Sequence, residues 1–414
     1  MGGWQDVTIG DACQVVNGGT PKTKVSEYWD GPHAWITPAE MGRRESPYIN
    51  DTGRTLSEEG LSKCSASLLP PCSVILSSRA PIGHLVINEV PMATNQGCKG
   101  LVPGSELHHK FLYYYLHSVV DLLNDLGTGT TFKELSATKL KGVPISLPPL
   151  PEQERIVAIL DEAVAAIAAA TANAETNLAN ARELFENYVN RVFAQKQNGW
   201  RETALGNVAA FKNGLNFTKN STGEIVKIVG VRNFQSNHWV PMDELDAVQI
   251  EGALSEPYTL RKHDILTVRS NGNRQLIGRC ILVGDVPEKV SYSGFTIRIR
   301  VHSSDLDPTY LIHYLRSGVV REKLVKSGGG TNISNLNQKG LSVLAVRMPD
   351  RDEQSEIVMR VEAVKAEIER LALSYQAKAS SLTELKQSIL HKAFTGELTA
   401  DFDATNVALA KGEV

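Results

Sequence analysis

Little in this chain advertises chemistry of its own. Its five cysteines, Cys13, Cys64, Cys72, Cys98 and Cys280, show no Cys-x-x-Cys spacing, which fits a reducing compartment and argues against structural zinc. No run approaches the roughly 18–20 consecutive apolar residues of a spanning helix, and Met1-Gly2-Gly3-Trp4-Gln5-Asp6 lacks a basic region followed by an apolar core. The expected location is therefore the cytoplasm, with no membrane; Asp6 also stands where a myristoylation signal wants Ser or Thr. Phosphate-binding Gly-x-x-x-x-Gly-Lys-Ser/Thr, zinc-binding His-Glu-x-x-His, nucleophilic Gly-x-Ser-x-Gly and the Asn-Pro-Pro-aromatic methyltransferase motif are all missing. An enzyme needs a constellation and none is found, so the expectation is a non-catalytic chain without metal. One nuclease-like Glu384-Leu385-Lys386 lies in a helical apolar seam, where charged flanks are routine. His108, His109 and His117 have no acidic or thiol partner at ligand spacing and read as helix-surface residues.

What is present is an ordinary globular composition, 42% apolar and 21% charged over 414 residues, enough for several domains with cores of their own. The net charge of -3 conceals an uneven distribution. Residues 1–150 carry 12 basic and 14 acidic groups, residues 151–198 carry 4 and 7, residues 199–349 carry 19 and 13, and residues 350–414 carry 8 and 12. The basic excess of the third block could meet phosphate, whereas the acidic segments should stand off it or pack on basic partners.

The chain repeats itself. Leu147-Pro148-Pro149-Leu150-Pro151-Glu152-Gln153-Glu154-Arg155-Ile156-Val157 returns 201 residues later as Met348-Pro349-Asp350-Arg351-Asp352-Glu353-Gln354-Ser355-Glu356-Ile357-Val358. Upstream, Trp4, Ile9-Gly10-Asp11 and Asn17-Gly18 match Trp200, Leu205-Gly206-Asn207 and Asn213-Gly214 at an offset of 196. Tyr115-Leu116-His117-Ser118 matches Tyr314-Leu315-Arg316-Ser317, the offset drifting as loop insertions in a duplicated domain would make it. In the first copy, Val74–Ser78 and His84–Ile87 read as strand candidates and 111–126 as one helix.

Residues 152–194 contain no Gly or Pro for 43 residues, with apolar or small residues three and four apart. The pattern predicts a helix of about 65 Å whose seam needs a partner. Pro151 suits its first position and Asn198-Gly199 its end; the second helix should be capped by Asp350 with Glu353 three residues on, and stop near Gly396. The seam falls at Ile156, Leu160, Ile167 and Leu178, and again at Ile357, Val361, Ile368, Leu382 and Ile389. The second register holds without a gap, and since one inserted residue turns everything after it by about 100°, helix length and phase both matter. The predicted fold is α+β: mixed domains at 1–147 and 199–348, long helices at 148–198 and 349–398 pairing as an antiparallel coiled coil, and a tail at 399–414.

Three sets of loops carry groups suited to DNA. Gly18, Thr20 and Lys22 correspond to Lys212, Asn213, Asn216 and Lys219, and combine amides, hydroxyls and Lys near glycine turns. Thr130 and Lys133 correspond to Thr331 and Asn332 in a second pair of glycine-bearing loops. Arg79 and Arg269 each follow a strand, the latter opening Arg269-Ser270-Asn271-Gly272-Asn273-Arg274-Gln275, where Arg269, Asn271 and Arg274 are of the types that pair with guanine and adenine edges. Polar surface loops retained by duplication would look much the same, and composition leaves both readings open.

These repeated Pro-x-x-Glu-Gln helix openings, together with the closing Leu385-Lys386-Gln387-Ser388-Ile389-Leu390-His391-Lys392-Ala393-Phe394-Thr395-Gly396-Glu397-Leu398, resemble the DNA-specificity subunit of type I restriction–modification systems over nearly the whole chain. The resemblance implies a non-catalytic adaptor whose two target-recognition domains each read half of an interrupted double-stranded DNA sequence, with the helices as ruler. It implies two modification subunits, which bring S-adenosylmethionine and methylate adenine, and two restriction subunits, which use ATP and Mg and cleave, so that cofactors belong to partners. Target-recognition domains vary most in that family, and no base-reading residue is carried over. The chain departs from a symmetric pattern where Asp350-Arg351-Asp352 replaces Pro149-Leu150-Pro151, which puts in doubt that both helix openings hold partners equally. A free-standing tandem DNA-binding regulator, or a structure-specific nuclease, are the competing readings.

Overall fold

The computed structural model describes residues 3–44, 46–79, 81–129, 133–194, 199–218, 220–235, 237–326 and 336–400. It divides into two compact units, 1–174 with 377–414, and 175–376. The boundaries cut both long helices in the middle, so neither helix is a body apart from the domains.

In the first unit a sheet runs in the order Cys13–Asn17, Cys98–Pro103, Val74–Ser78, Ile82–Asn88 and Tyr48–Ile49. In the second, Ala209–Asn213, Thr296–Val301, Ile265–Val268 and Cys280–Leu282 repeat the first four strands. The registers correspond, Asn17 opposite Lys99 and Asn213 opposite Ile297. The central strands are apolar on both faces, as Val74-Ile75-Leu76 and Ile265-Leu266 require, because each sheet is covered on one side by helices and on the other by a three-stranded sheet and loops. A two-stranded ribbon closes each domain: Gln5–Thr8 pairs with Pro144–Leu147, and Arg201–Ala204 with Ala345–Met348. Each domain therefore ends beside its own beginning and hands directly to a long helix.

The single helix expected over 111–126 is two, His109–Ser118 and Val120–Leu126, with Val119 out of helical geometry (φ -110°, ψ 16°). The second unit breaks at the equivalent place, after Pro308–Arg316. A serine stands at both breaks. Ser118 Oγ donates to Tyr115 O at 2.7 Å, a carbonyl that also accepts the Val119 N–H at 3.2 Å, and Ser317 Oγ donates to Tyr314 O at 2.7 Å; such back-bonding bends helices.

The long helices span Leu150–Ala194 and Arg351–Phe394. The first begins one residue before Pro151, with Pro149 O accepting the Gln153 N–H at 3.1 Å. Asp350 caps the second as expected, its Oδ1 accepting the Glu353 N–H at 2.8 Å, but the Glu353 carboxylate takes the Trp200 indole N–H at 2.9 Å rather than turning back to the cap. Gly396, at φ 79°, ends that helix in the left-handed conformation glycine tolerates.

In the first unit Ile156, Val157 and Leu160 share a core with Leu390 and Ala393, and the Phe394 ring stands edge-on to Phe111 (5.1 Å) and Tyr115 (5.3 Å). In the second, Val189 and Phe193 share one with Ile357 and Val361, Phe193 standing edge-on to Tyr310 and Tyr314 at 5.6 Å each. In each unit the start of one helix lies with the end of the other, which is the antiparallel pairing. Ile156, Leu160, Ile167, Ile357 and Val361 are buried, whereas Leu178, Ile368, Leu382 and Ile389 are half-covered and Leu184 is 66% exposed. Domain packing seals the seam at the helix ends, where each buried large side chain contributes about 1.5–3 kcal/mol; toward the middle one neighbouring helix cannot cover both flanks. The alanine-rich first helix contains an 18-residue stretch of mean hydropathy 1.6, long and apolar enough to cross a bilayer by composition alone. Only 22% of that stretch is buried, so core packing accounts for part of its apolarity, and Asp161 on the helix flank pairs with Lys110 Nζ and the Tyr114 hydroxyl, both at 2.6 Å.

His117 gives the first unit an acid-sensitive point. Burial, reinforced by nearby Lys386, lowers its pKa to about 4, with the ring edge-on to Tyr113 at 4.7 Å. The folded state therefore holds this proton less tightly than the unfolded chain, whose histidine titrates near 6.5. The stability carried by neutral His117 is complete above about pH 6.5 and is lost between about 6.5 and 4, by roughly 3 kcal/mol at most. Urea midpoints of the full chain at pH 7 and pH 5 should differ, and His117→Phe should shrink the difference; an unchanged difference would remove His117 as its source.

Candidate nucleic-acid interface

Four segments meet at one edge of each main sheet, and they are equivalent in the two units. In the first, the loop after Cys13–Asn17 crosses the turn Asn95–Gly97: Gly19 N–H donates to Thr94 O at 2.8 Å, and Thr20 Oγ1 accepts from Asn95 Nδ2 at 2.8 Å while its own proton goes to Gln96 Oε1. The same turn receives Ser78 N–H at Gly97 O (2.7 Å), and Ser78 O in turn accepts the Leu135 N–H at 2.9 Å. In the second unit, Gly294 N–H donates to Leu215 O at 2.7 Å, Arg269 N–H to Phe295 O at 2.8 Å, and Leu336 N–H to Arg269 O at 2.8 Å. Gln338 Nε2 adds a bond to Asn213 Oδ1 at 3.0 Å. The backbone frame is common to both copies and the side chains standing on it differ.

The structure reassigns several residues singled out in the loops. Gly18 is buried and its N–H is used by Cys98 O at 3.3 Å, so the expected exposed amide is not available. A Cβ there would come within 2.0 Å of Asn95 O, and at Gly214 within 2.3 Å of Tyr292 O and Ser293 O. The repeated Asn-Gly is thus explained by a turn passing over it. Thr20 is tied to Asn95 and Gln96, and Asn213 to Gln338. Lys22 is exposed. Lys133, also exposed, places Nζ 3.4 Å from Asn124 O at the end of a short helix, where a cation is favoured. Lys212 lies over the Tyr258 ring at 4.8 Å. Asn216 is exposed beside Gly294, and Asn271 holds its loop through Asn273 N–H at 2.8 Å. Arg79 faces Glu134 at 3.8 Å; Arg269 sits at the meeting point with no ion pair among the described residues. Arg274 lies in a short turn, its side chain outside the description, and Thr130, Lys219, Thr331 and Asn332 lie outside the described residues.

Many described cations of residues 199–349 are engaged by partners within the chain. Arg300 grips Asp264 through two bonds of 2.7 Å, Asp264 being 1% exposed. Arg298 donates to Pro257 O at 2.9 Å, Arg316 to Cys280 O at 2.8 Å and Arg347 to Ala194 O at 3.1 Å. Arg201, Arg232, Lys227 and Lys262 have carboxylate partners within 3.0 Å. The block total therefore overstates what reaches a phosphate. Near the meeting edge of the first unit Lys99 is buried, its pKa lowered by desolvation against a raising contribution from Glu134.

Two groups of residues escaped the sequence reading. The turns Asn95–Gly97 and Ser293–Phe295 organise the edge, and Phe295 projects 63% exposed with Phe217 38% exposed nearby in the loop it crosses. Their signal was faint, since no residue type in the turns is shared beyond a displaced glycine. The second group is Gln153 and Gln354, both fully buried. Gln153 Nε2 donates to Glu106 O and Pro148 O at 2.8 Å each, and its Oε1 accepts the His108 N–H at 2.8 Å. Gln354 repeats this with Asp305 O (2.7 Å), Pro349 O (2.9 Å) and the Asp307 N–H (2.8 Å). A glutamine at the same place in both helix openings was the available signal. Glu384 and Lys386 of the nuclease-like triplet lie on the second long helix, Glu384 exposed.

Comparison with known proteins adds an independent line. The model of the family described as "Type I restriction modification DNA specificity domain" matches residues 1–177 and again 197–378. The MjaIX specificity subunit of a type I restriction enzyme from Methanocaldococcus jannaschii is 36% identical over 159 residues, 38% of this chain and 37% of that relative's length. The StySPI specificity subunit from Salmonella potsdam is 24% identical over 99% of this chain and 92% of the relative. Among solved structures, a chain from work on complex assembly and conformational transition of the type I R-M system superposes with TM-score 0.78 at 17% identity, covering 96% of this chain and 99% of the other. A crystal structure of an HsdS subunit from Thermoanaerobacter tengcongensis gives 0.60 at 17%, covering 96% and 98%. At those identities the likeness is one of fold.

Proposed function

This chain belongs to the type I restriction modification DNA specificity family, and from that premise we propose that it is the sequence-reading subunit of a type I restriction–modification complex. Each unit takes one half of a bipartite duplex target, and the helix pair sets how far apart the halves stand. The observation that carries this is the pair of sheet edges: one backbone frame occurs twice, with Asn95-Gln96-Gly97 and Arg79 on one copy and Ser293-Gly294-Phe295 and Arg269 on the other. A common frame bearing different polar, cationic and apolar groups suits the reading of two unlike half-sites, since base edges differ in donors, acceptors and the thymine methyl.

The chain acts without catalysis. Methyl transfer with S-adenosylmethionine falls to two modification subunits, and ATP- and Mg-dependent cleavage to two restriction subunits. Because most cations of the second unit are paired internally, partners supply much of the basic surface around the duplex, and binding by the lone chain is weak at physiological salt.

Single substitutions at the two edges should separate the half-sites. In the assembled methyltransferase, Arg269→Ala and Phe295→Ala should each lower methylation about 10–100-fold by weakening one half-site, at about 1–3 kcal/mol per good base contact, and Arg79→Ala should do so at the other. Rates on duplexes altered in one half at a time give the readout. Equal sensitivity of both halves to Arg269→Ala would show that this edge does not read bases.

A further inference from the structure

His238, His313 and Glu362 are 75 and 49 residues apart in sequence, and the second unit brings one ligand atom from each to within 4.8 Å of the other two. His313 belongs to the domain helix Pro308–Arg316 and is 3% exposed. His238 precedes the segment that joins the edge of the main sheet, its backbone carbonyl accepting the Leu282 N–H at 2.9 Å. Glu362 lies in the fourth turn of the second long helix, directly after the buried Val361. Glu362 Oε1 is 2.9 Å from His313 Nε2 and 3.9 Å from His238 Nε2, and the imidazole centroids are 5.0 Å apart. His238 Nε2, His313 Nε2 and Glu362 Oε1 are all buried without a well-formed hydrogen bond.

The first unit shows what a finished junction looks like at this position. Tyr114 and Asp161 stand where the repeat places His313 and Glu362. The Tyr114 hydroxyl and Lys110 Nζ both reach the Asp161 carboxylate at 2.6 Å, leaving no convergence of orphaned ligand atoms. The second unit has instead two imidazoles and a carboxylate oxygen facing one point, a donor set typical of zinc.

We propose that His238, His313 and Glu362 form a binding site for a divalent transition metal of the zinc type, which fastens the second recognition domain to the long helix. Tetrahedral zinc with ligands at about 2.0–2.1 Å has ligand–ligand edges of about 3.3 Å, so the observed 2.9 and 3.9 Å need sub-ångström adjustment, and the widest separation, within 4.8 Å, must close by up to about 1.5 Å. Two cations face the cluster from neighbouring positions. Lys365 Nζ lies 3.3 Å from Glu362 Oε2, leaving Oε1 for the metal, and Arg316 is held by Asn237 O at 3.0 Å and Cys280 O at 2.8 Å. The Glu362 side chain is 38% exposed, while the three facing ligand atoms are themselves buried.

The test uses the purified full chain, stripped by chelator and titrated with Zn2+ against a chromogenic chelator, with Co2+ as a spectroscopic stand-in. One Zn2+ per chain is expected, with visible Co2+ bands of tetrahedral type and a raised melting midpoint. His238→Gln and Glu362→Gln should each weaken binding by more than about 100-fold, since removal of a direct ligand exceeds the 10–100-fold typical of its supporting partners. Tyr114→Phe in the first unit should leave it unchanged. X-ray absorption of the zinc-loaded wild type needs no variant and should show nitrogen and oxygen ligands with two imidazoles. Absence of stoichiometric zinc, zinc retained by both variants, or a shell without two imidazoles would overturn the assignment.

Discussion

Replacing Gln354 with leucine should cost the second unit about 3–5 kcal/mol, and Gln153→Leu should cost the first as much. Each glutamine is wholly buried and makes three hydrogen bonds, two to carbonyls and one from a backbone N–H. Leucine fills a similar volume but leaves those groups dry and unpaired, at about 1–3 kcal/mol for each buried orphan. Glutamate would be no better, because its carboxylate would face two carbonyl oxygens. The bonds tie the opening of a long helix to the start of a domain helix, so the loss should loosen the angle between them and lower target methylation along with stability. Urea unfolding of the full chain reads the cost, with exposed Gln387→Leu as a control expected to stay within about 0.5 kcal/mol. A Gln354→Leu chain as stable as the wild type would mean that the repeated glutamine is not structural.

The second large effect concerns helix length. Inserting seven residues after Ala174 and seven after Gln376 keeps the seam close to register and adds about 10.5 Å at 1.5 Å per residue, roughly three base pairs of duplex at 3.4 Å each. The assembled complex should then methylate sites whose half-sequences are unchanged and whose spacer is longer. A single residue added to one helix turns the rest by about 100° and should abolish methylation, since buried Ile357, Val361 and Ala393 would leave their cores. Mapping of methylated adenines across a host genome reads both outcomes. An altered half-site with an unaltered spacer would remove the ruler.

Both predictions were partly visible in the residues, and their different visibility has a physical cause. Helix length and phase were legible because a seam of period 3.5 writes itself at every turn, and because the repeat supplied a second copy in the same register. Of the duplicated ribbon and sheet, Val74–Ser78 and His84–Ile87 were legible as strands and the rest only as matching turns. Ser118 and Ser317 show what pattern reading misses: the apolar periodicity runs on past them, yet the helix breaks there, each serine hydroxyl sitting on a carbonyl three residues back. The interface was legible as a set of loops but not as a place. Asn17-Gly18 is spelled like a ligand loop, yet its glycine answers to a backbone passing overhead, and the turn responsible lies more than seventy residues away. A charge count likewise cannot distinguish Arg300 locked onto Asp264 from a cation available to phosphate. His238, His313 and Glu362 have no local spacing to detect and meet only through the fold.

The ribbon between Arg201–Ala204 and Ala345–Met348 has a bearing on how such a chain can be rebuilt. Paired strands lie about 4.8 Å apart, and Arg347 reaches from the exit strand to Phe193 O and Ala194 O at the end of the first long helix. Entrance and exit of residues 199–348 are thus almost one point, and the domain is topologically a bead threaded onto a helical hairpin. A graft here need only match two adjacent strand ends, so a foreign domain with the same doorway could be exchanged whole without rerouting the hairpin that carries it.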